Sequence, residues 1–177
     1  MDHLSIREVQ LPWDGSALQQ LDTSFTTGVI CQVNAYAESF TMQFTPVAPI
    51  TKTYSLDDLD AEDRLWESGW VACIDERPVG FAATRYESWN RRLNLWHLYV
   101  DSAVRRKGVA RSLLQAAVDH GRQDGALTVW LEVTNINAPA IRAYQALGFE
   151  LCGLDLTLYS NTAARGEVAL FMARAIG

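Results

Sequence analysis

Two stretches of this chain combine residue types that do chemistry. The first is Val104-Arg-Arg-Lys-Gly-Val-Ala-Arg111, in which four bases, Arg105, Arg106, Lys107 and Arg111, fall within seven residues. It lies between an expected strand and an expected helix. Unpaired backbone N–H groups and the helix dipole attract an anion at such a helix start. Gly108 lets a ligand approach the backbone closely, and the small Ala110 keeps the first turn uncrowded. A diphosphate fits this place; an ordinary basic helix start has the same composition. The chain contains no G-x-G and no G-x-x-x-x-G-K-[ST], so it carries neither a dinucleotide fingerprint nor a P-loop. The second stretch is Asn137-Ala-Pro-Ala-Ile-Arg-Ala-Tyr-Gln-Ala-Leu-Gly-Phe149. Asn137 suits a helix N-cap and Pro139 the first turn, with Ile141 and Leu147 facing a core. Tyr144 reads either as a core tyrosine with a tethered hydroxyl or as a proton donor.

The elements that must position these residues follow from periodicity and turn chemistry. Leu4–Val9 reads as a strand and Asp14–Leu21 as a short helix capped by Asp14 or Ser16. Cys31–Val33 and Phe40–Val47 read as strand, closed by Pro46 and Pro49. Asp57–Glu67 sets six acids against Arg64, which predicts a solvated helix or loop, either a solubilising surface or a lure for a polycation. Trp70–Ile74, Val79–Glu87 and Leu93–Val100 form an antiparallel meander with turns at Asp75–Pro78 and Trp89–Arg92. A helix follows over Val109–Gln123, with Val109, Leu113, Ala116 and Ala117 on one face. Leu127–Val133 has little polarity and reads as a strand buried on both faces. A helix over Ala138–Leu147, ended by Gly148, precedes strands at Phe149–Tyr159 and Glu167–Arg174. This order predicts an α/β fold: one domain over residues 1–177, a mixed sheet with helices packed on it.

Composition narrows the function classes. The chain has 177 residues, 49% hydrophobic and 20% charged, as a globular domain has and a disordered chain does not. Apolar runs such as Ala126–Leu131, broken by Thr128, fall short of the roughly 18–20 residues a bilayer crossing needs. Met1–Asp14 lacks a basic start followed by an apolar run, so a cytoplasmic location is expected. A net charge of -6 argues against nucleic acid and suits a cationic substrate. Cys31, Cys73 and Cys152 have no C-x-x-C spacing, which predicts reduced thiols and no metal site.

Taken together, the two stretches carry a resemblance. Arg105-x-x-Gly108-x-Ala110 is similar to the Arg/Gln-x-x-Gly-x-Gly/Ala pattern of the GNAT acetyltransferase superfamily, and Asn137-x-x-Ala140-Ile141-x-x-Tyr144-x-x-Leu147-Gly148-Phe149 resembles its second motif. Leu21-Asp-x-Ser-Phe-Thr-Thr27, Ser88-Trp-Asn-Arg-Arg-Leu93, Trp130-Leu-Glu-Val-Thr-Asn135 and Cys152-Gly-Leu-Asp155 narrow it to the streptothricin (nourseothricin) acetyltransferases, over nearly the whole chain. The resemblance implies a mostly antiparallel central sheet with helices on both faces. It implies acetyl-CoA as co-substrate and acetyl transfer to an amine. The backbone N–H groups of Arg106, Lys107, Gly108, Val109 and Ala110 would hold the CoA diphosphate, with Arg105 and Lys107 adding charge. The thioester would lie in a splay between Leu93–Val100 and Leu127–Val133, with the amide of Tyr99 or Val100 polarising its carbonyl. Asn137 would contact the pantetheine arm, and Tyr144 would protonate the departing thiolate.

The implied substrate is a small cationic amine, streptothricin first. The alternatives are an aminoglycoside, a polyamine or a protein N-terminus, or a non-catalytic acetyl-CoA-binding module. An amine must lose a proton before it attacks, so a base is needed. One difference from the streptothricin enzymes falls at Trp96 and His97, where those enzymes usually carry a carboxylate or two. Trp96 would stack on substrate or pack in the core, and His97 is the candidate base. Asp22, Glu87, Glu132, Asp155 and Glu167 are the candidate amine-binding acids. The sequence leaves the oligomeric state open; the resemblance admits a homodimer, for which exposed Trp or Phe near the C-terminal strands would serve.

Overall fold

A computed structural model describes residues 3–177. The elements in order are β1 (Leu4–Glu8), α1 (Gly15–Leu18), β2 (Phe25–Ala35), β3 (Phe40–Lys52), β4 (Ser68–Ile74), β5 (Arg77–Glu87), β6 (Arg92–Val100), α2 (Val109–Gln123), β7 (Thr128–Thr134), α3 (Ala138–Ala146), β8 (Glu150–Asp155) and β9 (Ala169–Ala175). They fall into two compact units. One comprises the segment ending at Ser24, Thr53–Trp130 and Ala175–Gly177; the other comprises Phe25–Lys52 and Leu131–Arg174.

In the first unit the strand order is β1-β4-β5-β6-β7. The pairs up to β6 are antiparallel. Residues Arg92–Asn94 of β6 then run parallel to Thr128–Trp130 of β7. The β4–β5 hairpin turns at Asp75 and Glu76, whose φ angles of 48° and 69° give the twist that a two-residue turn between right-twisted strands needs. One face of this sheet carries α2, with Val109, Leu113 and Ala117 packed on Trp70, Ala72, Val79 and Ala82. Gly121 lets the helix close down: a Cβ there would stand 2.7 Å from Leu93. The other face is covered by Leu18, Leu21, Leu56, Leu59 and Trp66, which pack on Val71, Phe81 and Ala83. The mostly antiparallel sheet is as the resemblance implies, but among the described residues of this unit only α2 is a long helix on it: the four-residue α1 and the turns of residues 55–67 cover the second face.

Several local expectations give way to longer-range packing. The acidic segment is not a plain solvated surface. It forms turns in which Leu56, Leu59 and Trp66 are buried while Asp57, Asp60, Glu62, Asp63 and Glu67 stay exposed. Asp14 does not cap α1 with its side chain; it takes two 2.7 Å bonds from the Arg7 guanidinium and one from the Gln10 amide. A charged bidentate pair outweighs one cap on a four-residue helix.

In the second unit the order is β7-β9-β8, with a separate β2–β3 hairpin. Pro46 and Pro49 do not close β3, which runs on to Lys52. It is an outer strand beside a register shift between Thr27 and Val29, where a missing N–H costs no ladder bond. Buried Asn135 joins three segments. Its amide and side chain bind Val168, while its carbonyl and Nδ2 bind Cys31, all within 2.8–3.0 Å. β7 is buried all along one face, whereas on the other only Thr134 is buried. Val129, Leu131 and Val133 point into the core, while Trp130 is half-buried and Glu132 exposed on the other side. The last two strands are shorter than expected, and residues 156–168 form turns. The exposed apolar groups there are Leu151, Leu156 and Leu158, whereas the exposed Phe40 and Phe44 lie on the hairpin. Cys31, Cys73 and Cys152 are free thiols. Among the described residues no group of His, Cys, Asp and Glu is arranged to hold a metal, and no helix is long and apolar enough to cross a membrane.

Candidate active site

The first unit shapes the candidate anion loop. Arg106 and Gly108 both have left-handed backbones, with φ of 64° and 85°. Space around Gly108 is open, since a Cβ there would meet no atom within 4 Å. The first bond of α2 runs from Ser112 N–H to the Gly108 carbonyl at 3.1 Å, so the preceding amides have no helical acceptor. Arg106, Lys107 and Arg111 are exposed beside them. Arg105 has another task. Its guanidinium donates to the carbonyls of Val100 (3.0 Å), Ser24 (2.6 Å) and Asp22 (3.1 Å), so it braces the loop from below.

Asp22 belongs to the same brace. It accepts from the Ser102 hydroxyl at 2.6 Å and from the Ser24 amide and hydroxyl. These bonds, Ser102 first, pull its carboxyl down to about 2 from an ordinary 3.8. A carboxyl depressed on folding contributes its stability above its unfolded pKa and loses it as pH falls through the folded one. Stability measured by denaturant titration should therefore decline less between about pH 4 and pH 2 in Asp22→Asn than in the parent chain. An identical decline would remove Asp22 from the brace.

β6 carries an irregularity that sets which groups face where. Ala83 pairs with His97 and Thr84 with Leu95, so Trp96 is the extra residue of a bulge, 42% exposed. A bulge shifts the two-residue alternation by one. Leu93 thus packs towards α2 before it, Leu98 and Val100 after it. His97 and Tyr99 fall on the opposite face, where their rings lie 5.6 Å apart and His97 lies 5.9 Å from Phe81. His97 Nε2 is 2.8 Å from Asp58 Oδ2, which also accepts from Trp66 Nε1 at 3.0 Å. Its Nδ1 is buried with no hydrogen-bond partner. The amides alternate too. Asp101 N–H bonds to the Val79 carbonyl at 2.9 Å, so the Tyr99 N–H also points into the β5 ladder and the Val100 N–H points away from it. Of the two expected amides, Val100's is the one directed off the ladder.

In the second unit Asn137 caps α3, its Oδ1 accepting from the Ala140 amide at 3.1 Å, and Pro139 sits in the first turn. Tyr144 is half-buried, its ring edge-on to Phe149 at 5.7 Å. Glu132 accepts a hydrogen bond from the Tyr159 hydroxyl. Glu132 is exposed on the open face of β7, yet the surrounding chain withdraws enough water to push its carboxyl above the ordinary 4.5. Glu167 is held by Lys52 Nζ at 2.7 Å from both its oxygens and by the Thr134 hydroxyl. Asp155 accepts from Thr157 and Leu158 and caps the turn after β8. Back in the first unit, Glu87 pairs with Arg85 at 3.2 Å.

The pattern of the acetyltransferase (GNAT) family matches residues 33–149, which include both motifs. The chain belongs to the GNAT acetyltransferase family. It is 39% identical over 169 residues to the streptothricin acetyltransferase of Streptomyces lavendulae, covering 91% of this chain and 89% of that protein. Its fold matches the crystal structure of nourseothricin acetyltransferase with a TM-score of 0.88 at 41% identity, over 98% of this chain and 99% of the other. A Bacillus anthracis str. Ames protein, solved in complex with acetyl coenzyme A, shares the fold at 22% identity, with a TM-score of 0.81 over 98% and 99% of the two chains.

For a GNAT acetyltransferase, the candidate acids thus sort themselves by their partners. Asp22 and Asp155 are spent on local hydrogen bonds, Glu87 on Arg85 and Glu167 on Lys52. Glu132 differs in having a neutral partner, the Tyr159 hydroxyl, together with exposure and a raised pKa. Sequence reasoning missed Asp58, Lys52 and Tyr159. The three-residue spacing of Leu56 and Leu59 was the available signal that the acidic segment folds inward and carries Asp58 with it. Nothing local marks Lys52, whose partner is 115 residues away.

Proposed function

We propose that this chain transfers the acetyl group of acetyl-CoA to an amino group of a streptothricin-class antibiotic, and so confers resistance. The carrying observation is the 39% identity to a streptothricin acetyltransferase along nine-tenths of this chain. The residues present fit acetyl-CoA. The amides before Ser112, the open space at Gly108 and the exposed Arg106, Lys107 and Arg111 suit a diphosphate. When bound, acetyl-CoA supplies an activated thioester. Val100's N–H, which points off the ladder, would donate a hydrogen bond to an acyl oxygen as negative charge develops on it. Tyr144's hydroxyl gives a proton to a departing thiolate. Asn137, committed to its cap through Oδ1, keeps α3 and Tyr144 in place. Trp96, exposed in the bulge, offers an aromatic face to a cationic substrate. The reading includes a cytoplasmic location, in keeping with the use of acetyl-CoA.

The amine's proton needs an acceptor, and His97 and Glu132 compete for that role. His97 Nε2 is engaged with Asp58 and its Nδ1 is buried. Glu132 is exposed, and its raised pKa makes it a better proton acceptor than an ordinary carboxylate. We assign the role to Glu132, and to His97 the task of tying β6 to the acidic segment. A base must be deprotonated to act, so the acid limb of kcat/KM should lie above the ordinary 4.5 of a glutamate. Glu132→Gln should abolish that limb and lower kcat/KM by about 10²-fold. An unchanged limb in Glu132→Gln, lost instead in His97→Gln, would return the role to His97.

Release of CoA from acetyl-CoA, measured with streptothricin, several aminoglycosides, spermidine and short peptides, tests the substrate. Turnover confined to streptothricin is the expected result. Turnover on another amine would make Trp96 and His97 the source of a changed specificity. No turnover, with acetyl-CoA still bound, would make the chain a binding module.

A further inference from the structure

A substrate with several ammonium groups raises a question of charge. A site with two free carboxylates would hold two cations; a site with one would hold one. The second unit carries two of the candidate glutamates, Glu132 on β7 and Glu167 just before β9. Lys52, at the end of β3, lies beside Glu167. Its Nζ stands 2.7 Å from both oxygens of Glu167, and the Thr134 hydroxyl bonds Oε2 of the same carboxylate at 2.5 Å. Thr134 and Glu132 are two residues apart on β7, so the brace on Glu167 starts from the strand that bears Glu132. The pair is sheltered, with side chains 26% exposed for Lys52 and 15% for Glu167. Such a pair is little screened by water or salt. The Glu132 carboxyl feels both members: Lys52 pulls its pKa down and Glu167 pushes it up.

The geometry points to Lys52 and Glu167 as a self-neutralised pair that sets the charge of the amine subsite, leaving Glu132 as the single carboxylate that a substrate ammonium meets. The inference rests on the reading of Glu132 as the amine-facing acid. Its physical content is a balance of signs. Without Glu167, the Lys52 cation is uncompensated and competes with the substrate ammonium for Glu132. Without Lys52, Glu167 becomes a second anion, and the subsite favours substrates that present two charges. Without either, the local charge is restored. Lys52 and Glu167 are specificity-determining residues in this scheme, and neither takes part in proton transfer.

The test is a charge cycle, read as KM for the amine at saturating acetyl-CoA. Glu167→Gln should raise KM for streptothricin at least about tenfold, with kcat within about threefold of the parent. Lys52→Met should lower KM for multiply charged amines relative to singly charged ones. The double variant, Lys52→Met with Glu167→Gln, should bring KM back to within about threefold of the parent, because it restores neutrality without restoring the bond. A brace with no electrostatic role gives a different pattern. The singles and the double would then lower the melting temperature together, and KM would not follow the sign of the charge; that result overturns the inference. If Lys52→Met does not fold, Glu167→Gln against the double variant carries the same comparison. Glu132→Gln separates this failure from failure of the underlying reading: an unchanged KM and kcat there would show that the amine does not meet Glu132 at all.

Discussion

Tyr144→Phe lowers kcat by about 10²-fold or more and leaves the affinity for acetyl-CoA within about threefold of the parent. The argument starts from what the substitution keeps. The ring of Tyr144 stands edge-on to Phe149 at 5.7 Å on a helix that Asn137 caps, and a phenylalanine ring can keep that packing. Only the hydroxyl is lost. A thiolate leaving without a proton is a worse leaving group, so the loss falls on turnover and not on binding. Stopped-flow or steady-state release of CoA gives kcat, and calorimetric titration gives the affinity. Equal turnover in the two proteins would remove Tyr144 from the acid role. A fall in affinity matching the fall in kcat would make it a binding residue.

The largest expected effect on stability comes from Leu59→Ala, which costs about 2–5 kcal/mol. Leu59 is fully buried among Leu18, Leu56, Trp66 and Phe81, although it sits in the most acidic stretch of the chain. Removing its side chain leaves a cavity under β5 and loosens the segment that brings Asp58 to His97. Asp60→Asn and Glu62→Gln, at exposed positions of the same stretch, should change stability by no more than about 0.5 kcal/mol. Urea unfolding of the three variants checks this contrast. A small effect for Leu59→Ala would return the segment to the solvated surface that its composition suggests.

The sequence by itself determined the elements whose signals are local. The α2 boundaries follow from an apolar repeat that begins beside Gly108 and ends near Gly121 and Gly125. Asn137, Pro139 and Gly148 mark α3 in the same way, and the β4–β5–β6 meander follows from alternation and turn residues. The candidate anion loop and Tyr144 were legible as candidates because each motif lies within a few residues. Tertiary structure decided the rest. Whether Leu127–Val133 was buried on one face or two depended on what packs against it, so the open side that bears Glu132 was invisible. The bulge at Trp96 inverts the alternation of β6, and no residue type there announces it. Above all, the fate of each charged group was set by distant chain. Arg105 reads as a phosphate ligand but is spent on three carbonyls, and Asp22 and Asp155 read as amine acids but are spent on serines and a turn. Lys52 finds Glu167 across 115 residues. A periodicity is a property of neighbours along the chain, whereas a hydrogen-bond partner is chosen only when the folded chain brings donors and acceptors together and excludes the water that would otherwise serve each of them.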